Sequence, residues 1–305
     1  MGNPIKSNPI LKLAAVDIGS NAIRLQVTNV TDYQGKTTFK KIEYLRFPLR
    51  LGKDVFIHQR ISETNKAKFI KLMQAFKLLV DLYEVDDYYV CATSAMREAE
   101  NGHEIVEEVK KELGLHINII DGDQEAHLIN VALWSYIDHK NYLHIDVGGG
   151  STELNIYKNG TQTASKSFKL GSVRTLNKEM AHEVWKNMDD FIHKNKEKKE
   201  SIICIGTGGN INKIFELSKP PKNKRFLDAT KIQEILEYLE SFDYEERIHV
   251  LNLNPDRADV IIPAAKIYMA AMKSANSRKM IVPDVGLKDG VINVLYERNK
   301  EKKFT

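Results

Sequence analysis

Cysteine is almost absent from the chain: two in 305 residues, Cys91 and Cys204, each inside an apolar run. Thiols so placed read as core residues in a reducing compartment, and no Cys-x-x-Cys spacing offers a zinc or redox pair. The nine histidines are scattered, with no His-x-x-x-His pair to hold zinc. No stretch approaches 18 uncharged apolar residues, so no transmembrane helix is expected. The first twelve residues contain Pro4 and Pro9 and no long apolar stretch before a small-residue cleavage site. They make a poor secretory leader, and the cytoplasm is the default expectation. Charge of one sign is also scarce. A net +4 is too small to imply nucleic-acid binding. Three local clusters, Lys194–Lys199, Lys219–Arg225 and Arg298–Lys303, read first as solvated surface and second as guides for a polyanion. With 42% apolar and 28% charged residues, the chain is a soluble globular protein long enough for two ordinary domains.

Glycine, in contrast, is placed with a pattern. The apolar run Tyr142–Val147 stops at Gly148-Gly149-Gly150-Ser151, and Glu153–Tyr157 then alternates as a second strand. Glycines at such a turn let backbone N–H groups meet a phosphate without a side chain between them. Asp146 on entry and Glu153 on exit supply hard oxygen ligands suited to Mg²⁺. The order recurs at Leu13–Asn21: apolar strand, Asp17, an apolar residue, Gly19, Ser20, then a strand from Ile23. The two Asp-x-Gly turns lie roughly 130 residues apart, too far for a solenoid. They predict a duplicated domain, each half giving one hairpin to a shared cleft. A third turn, Gly206–Asn210, follows an apolar strand and opens a helix, a place that attracts anions.

The remaining periodicities predict an α/β protein. Strands are expected at 13–18, 23–30, 37–45, 88–92, 117–120, 142–147, 152–157, 163–168, 201–205 and 279–282. Ser62 should cap a helix from Glu63 to about Tyr83, with Phe69, Ile70, Met73, Phe76 and Val80 as its buried stripe. Further helices are expected from His103 to Leu113, Asp123 to Ile137, 177 to 194, Thr230 (capping box with Gln233) to Glu240, Asp256 to Ala275 with a kink or restart at Pro263, and 287 to 299. Strand–helix alternation implies mixed sheets flanked by helices.

The three glycine turns, in this order, resemble the actin-like, sugar-kinase and heat-shock-chaperone ATPase superfamily. Four more segments sharpen the resemblance: Ala92–Arg97, Ile120–Ala126, Leu170–Arg174 and Arg257–Val260. Together the seven look like the exopolyphosphatase and guanosine pentaphosphate phosphohydrolase (Ppx/GppA) family, from Ala14 to about Val291 and ending in Asp284–Gly290. The resemblance implies two actin-like ATPase (ribonuclease H-like) domains, 1–126 and 127–287, around a cleft, with the last helix (about 288–305) packing back on the first. It implies Mg²⁺-dependent removal of the terminal phosphate of inorganic polyphosphate or guanosine pentaphosphate, without nucleic-acid or membrane partners, by an enzyme often dimeric. It assigns Glu125 as general base, Asp146 and Glu153 as metal ligands, and Asp17 as a helper to the metal or the water. Arg97 would grip a phosphate beside Thr93 and Ser94. Gly19, Ser20, Asn21, Gly148, Gly149, Gly150, Ser151 and Gly208 would line the phosphate path.

Two departures stand out. Gln124 and His127 occupy places where the family commonly has an acid and an arginine, and the extra C-terminal helical domains of longer members are missing from this chain. Two competing classes remain open at this stage. A sugar or small-acid kinase of the same superfamily would transfer the γ-phosphate of ATP to an acceptor. A non-catalytic polyphosphate or alarmone binder, or an actin-like assembly protein, would have no use for a base at Glu125.

Overall fold

The computed structural model of the chain describes residues 9–174, 178–196 and 202–304. The start of the expected 177–194 helix, Ser201 of the expected 201–205 strand, and half of the Lys194–Lys199 cluster lie outside the described residues.

Strands β1 (Ile10–Ile18), β2 (Ile23–Tyr33) and β3 (Lys36–Phe47) form an antiparallel meander. Helices α1 (Leu51–His58) and α2 (Glu63–Leu82) lead to β4 (Asp87–Ala92), which pairs parallel with β1. Then come α3 (Ser94–Glu98), α4 (Gly102–Leu113), β5 (Ile117–Ile119) parallel to β4, and α5 (Gly122–Leu133). The first sheet has the order β3-β2-β1-β4-β5.

The second half repeats the plan. β6 (Tyr142–Val147), β7 (Thr152–Lys158) and β8 (Thr161–Phe168) are the meander. After α6 (Lys178–Asn195), β9 (Ile203–Thr207) pairs parallel with β6. The chain continues through α7 (Gly209–Leu217), β10 (Phe226–Asp228), α8 (Ala229–Glu240), α9 (Tyr244–His249), α10 (Pro255–Ala258), α11 (Ile261–Ser274) and β11 (Lys279–Ile281), and ends in α12 (Leu287–Phe304). The second sheet runs β10-β11-β9-β6-β7-β8. Meander and parallel neighbours appear in the same relative order in both sheets, so the two Asp-x-Gly turns occupy equivalent places.

Local chemistry explains the boundaries. The Ser62 hydroxyl accepts the Asn65 N–H at 3.3 Å and starts α2, whose buried face is Phe69, Met73, Phe76 and Val80. Each such side chain contributes about 1.5–3 kcal/mol of burial. Gly114 closes α4 at φ 63°. The expected long helix from Asp256 is two, because the backbone breaks at Asp259–Val260; Pro263 then falls in the first turn of α11, where its missing N–H costs nothing. The Thr230 capping box is not formed. Asp228 precedes α8, and the Gln233 amide donates to Glu237 instead, at 2.7 Å. The real capping boxes are Asp121–Gln124 at α5 and Asp243–Glu246 at α9.

Three apolar clusters hold the molecule together. One fills the first half, another the second. The third joins Leu13, Ala15 and Cys91 of the first sheet to Tyr142, Tyr157 and Ile205 of the second through Ile129 of α5 and Val291 of α12. Both cysteines are buried, and desolvation pushes the Cys204 thiol up to about 12. Among the described residues no helix is long and apolar enough to cross a membrane.

Candidate active site

The two equivalent hairpins meet face to face. Gly19 donates its N–H to the Ala22 carbonyl at 3.2 Å, and Gly148 donates to Ser151 at 2.9 Å. These two N–H groups close their own turns. The carbonyls of the turns are held from behind. Gly52 and Arg50 N–H groups reach Ser20 and Asn21 at 2.8 and 3.1 Å; those of Ser172 and Val173 reach Gly148 and Gly149 at 3.0 and 2.8 Å. The Arg174 side chain adds Gly150 at 2.6 Å. The segment Leu170–Arg174 is therefore a brace behind the second turn, and the unforeseen helix α1 begins a matching brace behind the first. A Cβ on Gly149 would stand 3.0 Å from that of Ser20, and one on Gly150 would stand 2.6 Å from the Ser94 hydroxyl. Turn, turn and Ser94 thus share one contact, and the Ser20 and Ser94 hydroxyls are 2.9 Å apart.

Within each hairpin, the register pairs the entry acid with the residue seven further on. Asp17 faces Arg24 across β1–β2; Asp146 faces Glu153 across β6–β7. The first pair neutralises itself, with Arg24 donating to Asp17 at 2.7 Å. The second pair is two acids, and Glu125 from the first turn of α5 makes three. Oxygen atoms of Glu125, Asp146 and Glu153 all lie within 4.8 Å of one another. Glu125 and Glu153 are 8% and 2% exposed, so water does little to separate the charges. Burial, then Glu153, Asp146 and Asp17, push the Glu125 carboxyl well above the usual range against the pull of Arg97. Burial and Asp146 push Glu153 up to about 7, although Ser151 and Ser167 hydroxyls donate to it. Asp146 is raised by burial and by Asp17, while Thr207 and Arg24 pull the other way.

Two buried acids and one half-buried acid, with few donors between them, fit a divalent cation. Glu125 Oε2 is buried with no hydrogen-bond partner among the described residues. An all-oxygen carboxylate set suits a hard ion such as Mg²⁺ rather than a soft one. The stability consequence has a definite sign. A carboxyl whose folded pKa lies above its unfolded value contributes fully below the unfolded value and loses that contribution as pH rises through the folded one. With Glu125, Asp146 and Arg97 facing Glu153, EDTA-treated protein should melt several degrees lower at pH ~8.5 than at pH ~6. Mg²⁺ should remove most of that difference. Equal melting temperatures across this range without metal would show that the acids carry no mutual strain.

A cavity of about 150 Å³ opens over the acids. Its lining includes Asp17, Gly19, Ser20, Asn21, Thr93, Ser94, Glu125, Asp146, Gly148, Gly149, Ser151 and Gly208, all expected from sequence. Gly208, at φ 109°, lets the chain pass where a Cβ would sit 3.2 Å from Asp146 Oδ1. Gly150 lies behind the wall, against Phe56 and Ser94. Glu153 reaches the cluster from beneath, with Ser167 donating to it at 2.9 Å. Arg97 is not on the lining; its guanidinium donates to the Ile120 carbonyl at 2.5 Å, and its field holds Glu125 and Glu153 down. Gln124 has a local job, pinning the turn that presents Glu125: it accepts the Asp121 N–H at 3.0 Å and donates its own to Asp121 at 2.8 Å. His127 is exposed.

Sequence reasoning missed the basic wall: Arg24, Arg46, Arg257 and Lys288 also line the cavity. Arg46 pairs with Asp256, Arg50 with Asp259 at 2.5 Å, and Arg174 with Glu98 at 2.6 Å, so ion pairs bridge the cleft. Arg257 donates to the Gly209 carbonyl. The only local signal was the place of Arg24 at the position matching Glu153. In the tail cluster, Arg298 and Lys303 pair with Asp87 and Asp86 at 2.6 and 2.7 Å.

Two mixed sheets flanked by helices, with hairpins converging on a cleft, define the two-domain actin-like fold. The chain belongs to the Ppx/GppA phosphatase family, whose profile matches residues 29–299. A solved family member from Aquifex aeolicus is 25% identical and superposes with a TM-score of 0.73 over 95% of this chain and 99% of that one. An exopolyphosphatase structure from Cytophaga hutchinsonii, 20% identical, shares the fold at a TM-score of 0.82 over 94% of this chain and 98% of that one. Among curated relatives, a bifunctional 3-dehydroquinate synthase/phosphatase of Fusobacterium nucleatum is 28% identical over 82% of this chain and 41% of its own length. A guanosine-5'-triphosphate,3'-diphosphate pyrophosphatase of Photobacterium profundum is 23% identical over 94% and 60% respectively. Exopolyphosphatase 1 of Mycobacterium tuberculosis is 21% identical over 92% and 87%. The chain thus spans about two fifths to three fifths of the first two.

Proposed function

We propose that the protein hydrolyses the terminal phosphoanhydride of inorganic polyphosphate or of guanosine pentaphosphate, with Mg²⁺, and releases orthophosphate. The observation that carries this is the meeting of Glu125, Asp146 and Glu153 within 4.8 Å, the first two of them on the lining of the cavity that both glycine turns border. Asp146 and Glu153 would hold the ion, which supplies charge neutralisation for the phosphate oxygens.

The chain's own groups do the rest. With the turn carbonyls tied back, the N–H groups of Ser20, Asn21 and Gly149 face the cavity that would take the phosphate, and the Ser20, Ser94 and Ser151 hydroxyls stand beside them. Arg24, Arg46, Arg257 and Lys288 match a polyanion along the wall. Glu125 Oε2, buried and unpaired among the described residues, is the atom to take a proton from the attacking water. A water held between Glu125 and a phosphate fixed by the turns reacts as a unimolecular system rather than by chance encounter.

Purified protein with Mg²⁺ should release orthophosphate from short polyphosphate, long polyphosphate or guanosine pentaphosphate, and EDTA should stop it. Release from none of the three would overturn the proposal, and kcat/KM for each would rank them.

A further inference from the structure

His144 is an unusual tenant for the middle of β6: its side chain is fully buried two residues before Asp146. Both ring nitrogens are engaged. Nε2 lies 2.8 Å from the Thr207 hydroxyl at the end of β9, and Nδ1 lies 3.0 Å from the Asn155 side-chain amide on β7. The Thr207 hydroxyl is 2.7 Å from Asp146 Oδ1.

With Asp146 ionised, as a cation ligand must be, hydrogen-bond logic orders this chain. An ionised carboxylate only accepts, so the Thr207 hydroxyl donates to Asp146. Its single proton is then spent, so the other contact must bring a donor: His144 Nε2 carries hydrogen. In the neutral ring Nδ1 accepts, and the Asn155 NH₂ faces it. Asn155 Oδ1 in turn accepts from Gln162 at 3.1 Å, and Gln162 accepts from Asn130 of α5 at 2.5 Å. Asn130 accepts from the Tyr157 hydroxyl. A directed line of donors therefore runs from α5, the helix bearing Glu125, through side chains of β8, β7, β6 and β9, to one oxygen of Asp146.

We infer that His144 is a positioning residue: by donating to Thr207 it fixes the hydroxyl on Asp146 Oδ1 and holds the carboxylate in the orientation that receives the divalent cation. The inference rests on the cation site proposed above. Without the Nε2 donor, Thr207 can turn away and Asp146 is free to rotate in a pocket where like charges repel it. Groups that orient a ligand in this way typically carry about 10–100-fold in metal affinity.

Two substitutions separate positioning from packing, since both are polar and similar in size. The amide nitrogen of His144→Gln reaches the place of Nε2; that of His144→Asn reaches only the place of Nδ1. Titration of each with Mg²⁺, by calorimetry and by melting temperature against EDTA controls, should show His144→Gln within a few-fold of wild type. His144→Asn should bind about 10–100-fold more weakly. Thr207→Ser and Thr207→Val put the same question from the other end, and serve if His144→Asn does not fold: Ser should bind and Val should lose affinity. Wild-type affinity in both His144→Asn and Thr207→Val would overturn the inference and leave the cation site standing. A wild-type protein that binds no Mg²⁺ would overturn the site itself and this inference with it.

Discussion

A Glu125→Gln variant should keep its fold and lose about 10²–10⁴-fold in the rate of orthophosphate release. That range corresponds to about 3–5 kcal/mol of barrier at 1.36 kcal/mol per tenfold. The substitution is nearly isosteric, and the helix turn that carries the side chain is pinned independently by the Asp121–Gln124 capping box. What changes is one property. The buried Oε2 is a base without a partner among the described residues, and an amide in its place cannot take a proton. The same experiment divides base from ligand. Glu125 is not one of the two proposed ligands, so Mg²⁺ affinity should stay within a few-fold while the rate collapses. If affinity and rate fell together, Glu125 would be a third ligand of the cation. If the rate were unchanged, some other group would be the base. The acid limb of the kcat/KM profile should also vanish in the variant, because the carboxyl that defines it is gone.

What could be read from the chain beforehand has a physical pattern. Asp17, Asp146 and the glycine turns were legible because strand endings and tight turns leave a local signature in a few consecutive residues, whereas Glu125 was singled out only by the family resemblance. Helix α2 was legible because its buried stripe and Ser62 cap are local as well. The basic wall was not. Arg24, Arg46, Arg257 and Lys288 come from four separate segments and meet only through the fold. Arg46 sits in an exposed-looking strand, and nothing nearby in sequence says that Asp256 will pair with it. Helix α1 escaped because its eight residues, with Arg50 at φ 59° before them and Gln59 at φ 57° after, carry no capping side chain. The Thr230 box failed because Asp228 ends β10 directly against α8 and the helix starts one residue earlier. Arg97 was found, but its setting was not: the carbonyl it holds belongs to the residue just before the α5 cap, which shows only in three dimensions. The duplication itself tells something further. Equivalent positions hold Arg24 in one hairpin and Glu153 in the other, so one repeat is electrostatically complete and its copy is left short of positive charge.

That shortage makes a second large effect predictable, and it runs against intuition. Glu153→Gln should abolish the response to Mg²⁺ and nearly all orthophosphate release, yet in EDTA above pH ~7 it should melt higher than wild type. The reasoning starts from the wild-type cost. Burial and Asp146 lift the Glu153 carboxyl to about 7, with Glu125 on the opposite side also raised and Arg97 offsetting both only in part. A raised carboxyl subtracts stability once it ionises, so the gain from an uncharged amide appears as pH rises through that value and is absent near pH ~4.5, where wild type is already neutral. The amide can still accept from Ser167 and can donate to a neighbouring carboxylate, so no buried polar atom is newly stranded. Cation binding reverses the ranking, because the ion stabilises only the chain that can hold it. Melting curves of wild type and variant at pH ~5 and ~8.5, with and without Mg²⁺, therefore give four differences with a required order. Higher stability in metal-free variant at the alkaline pH alone is the diagnostic entry in that order; equal or lower stability there would mean that the acids are compensated within the folded chain and that no cation is needed to hold them together. A site whose strain disappears when its chemistry is removed is strained for the sake of that chemistry.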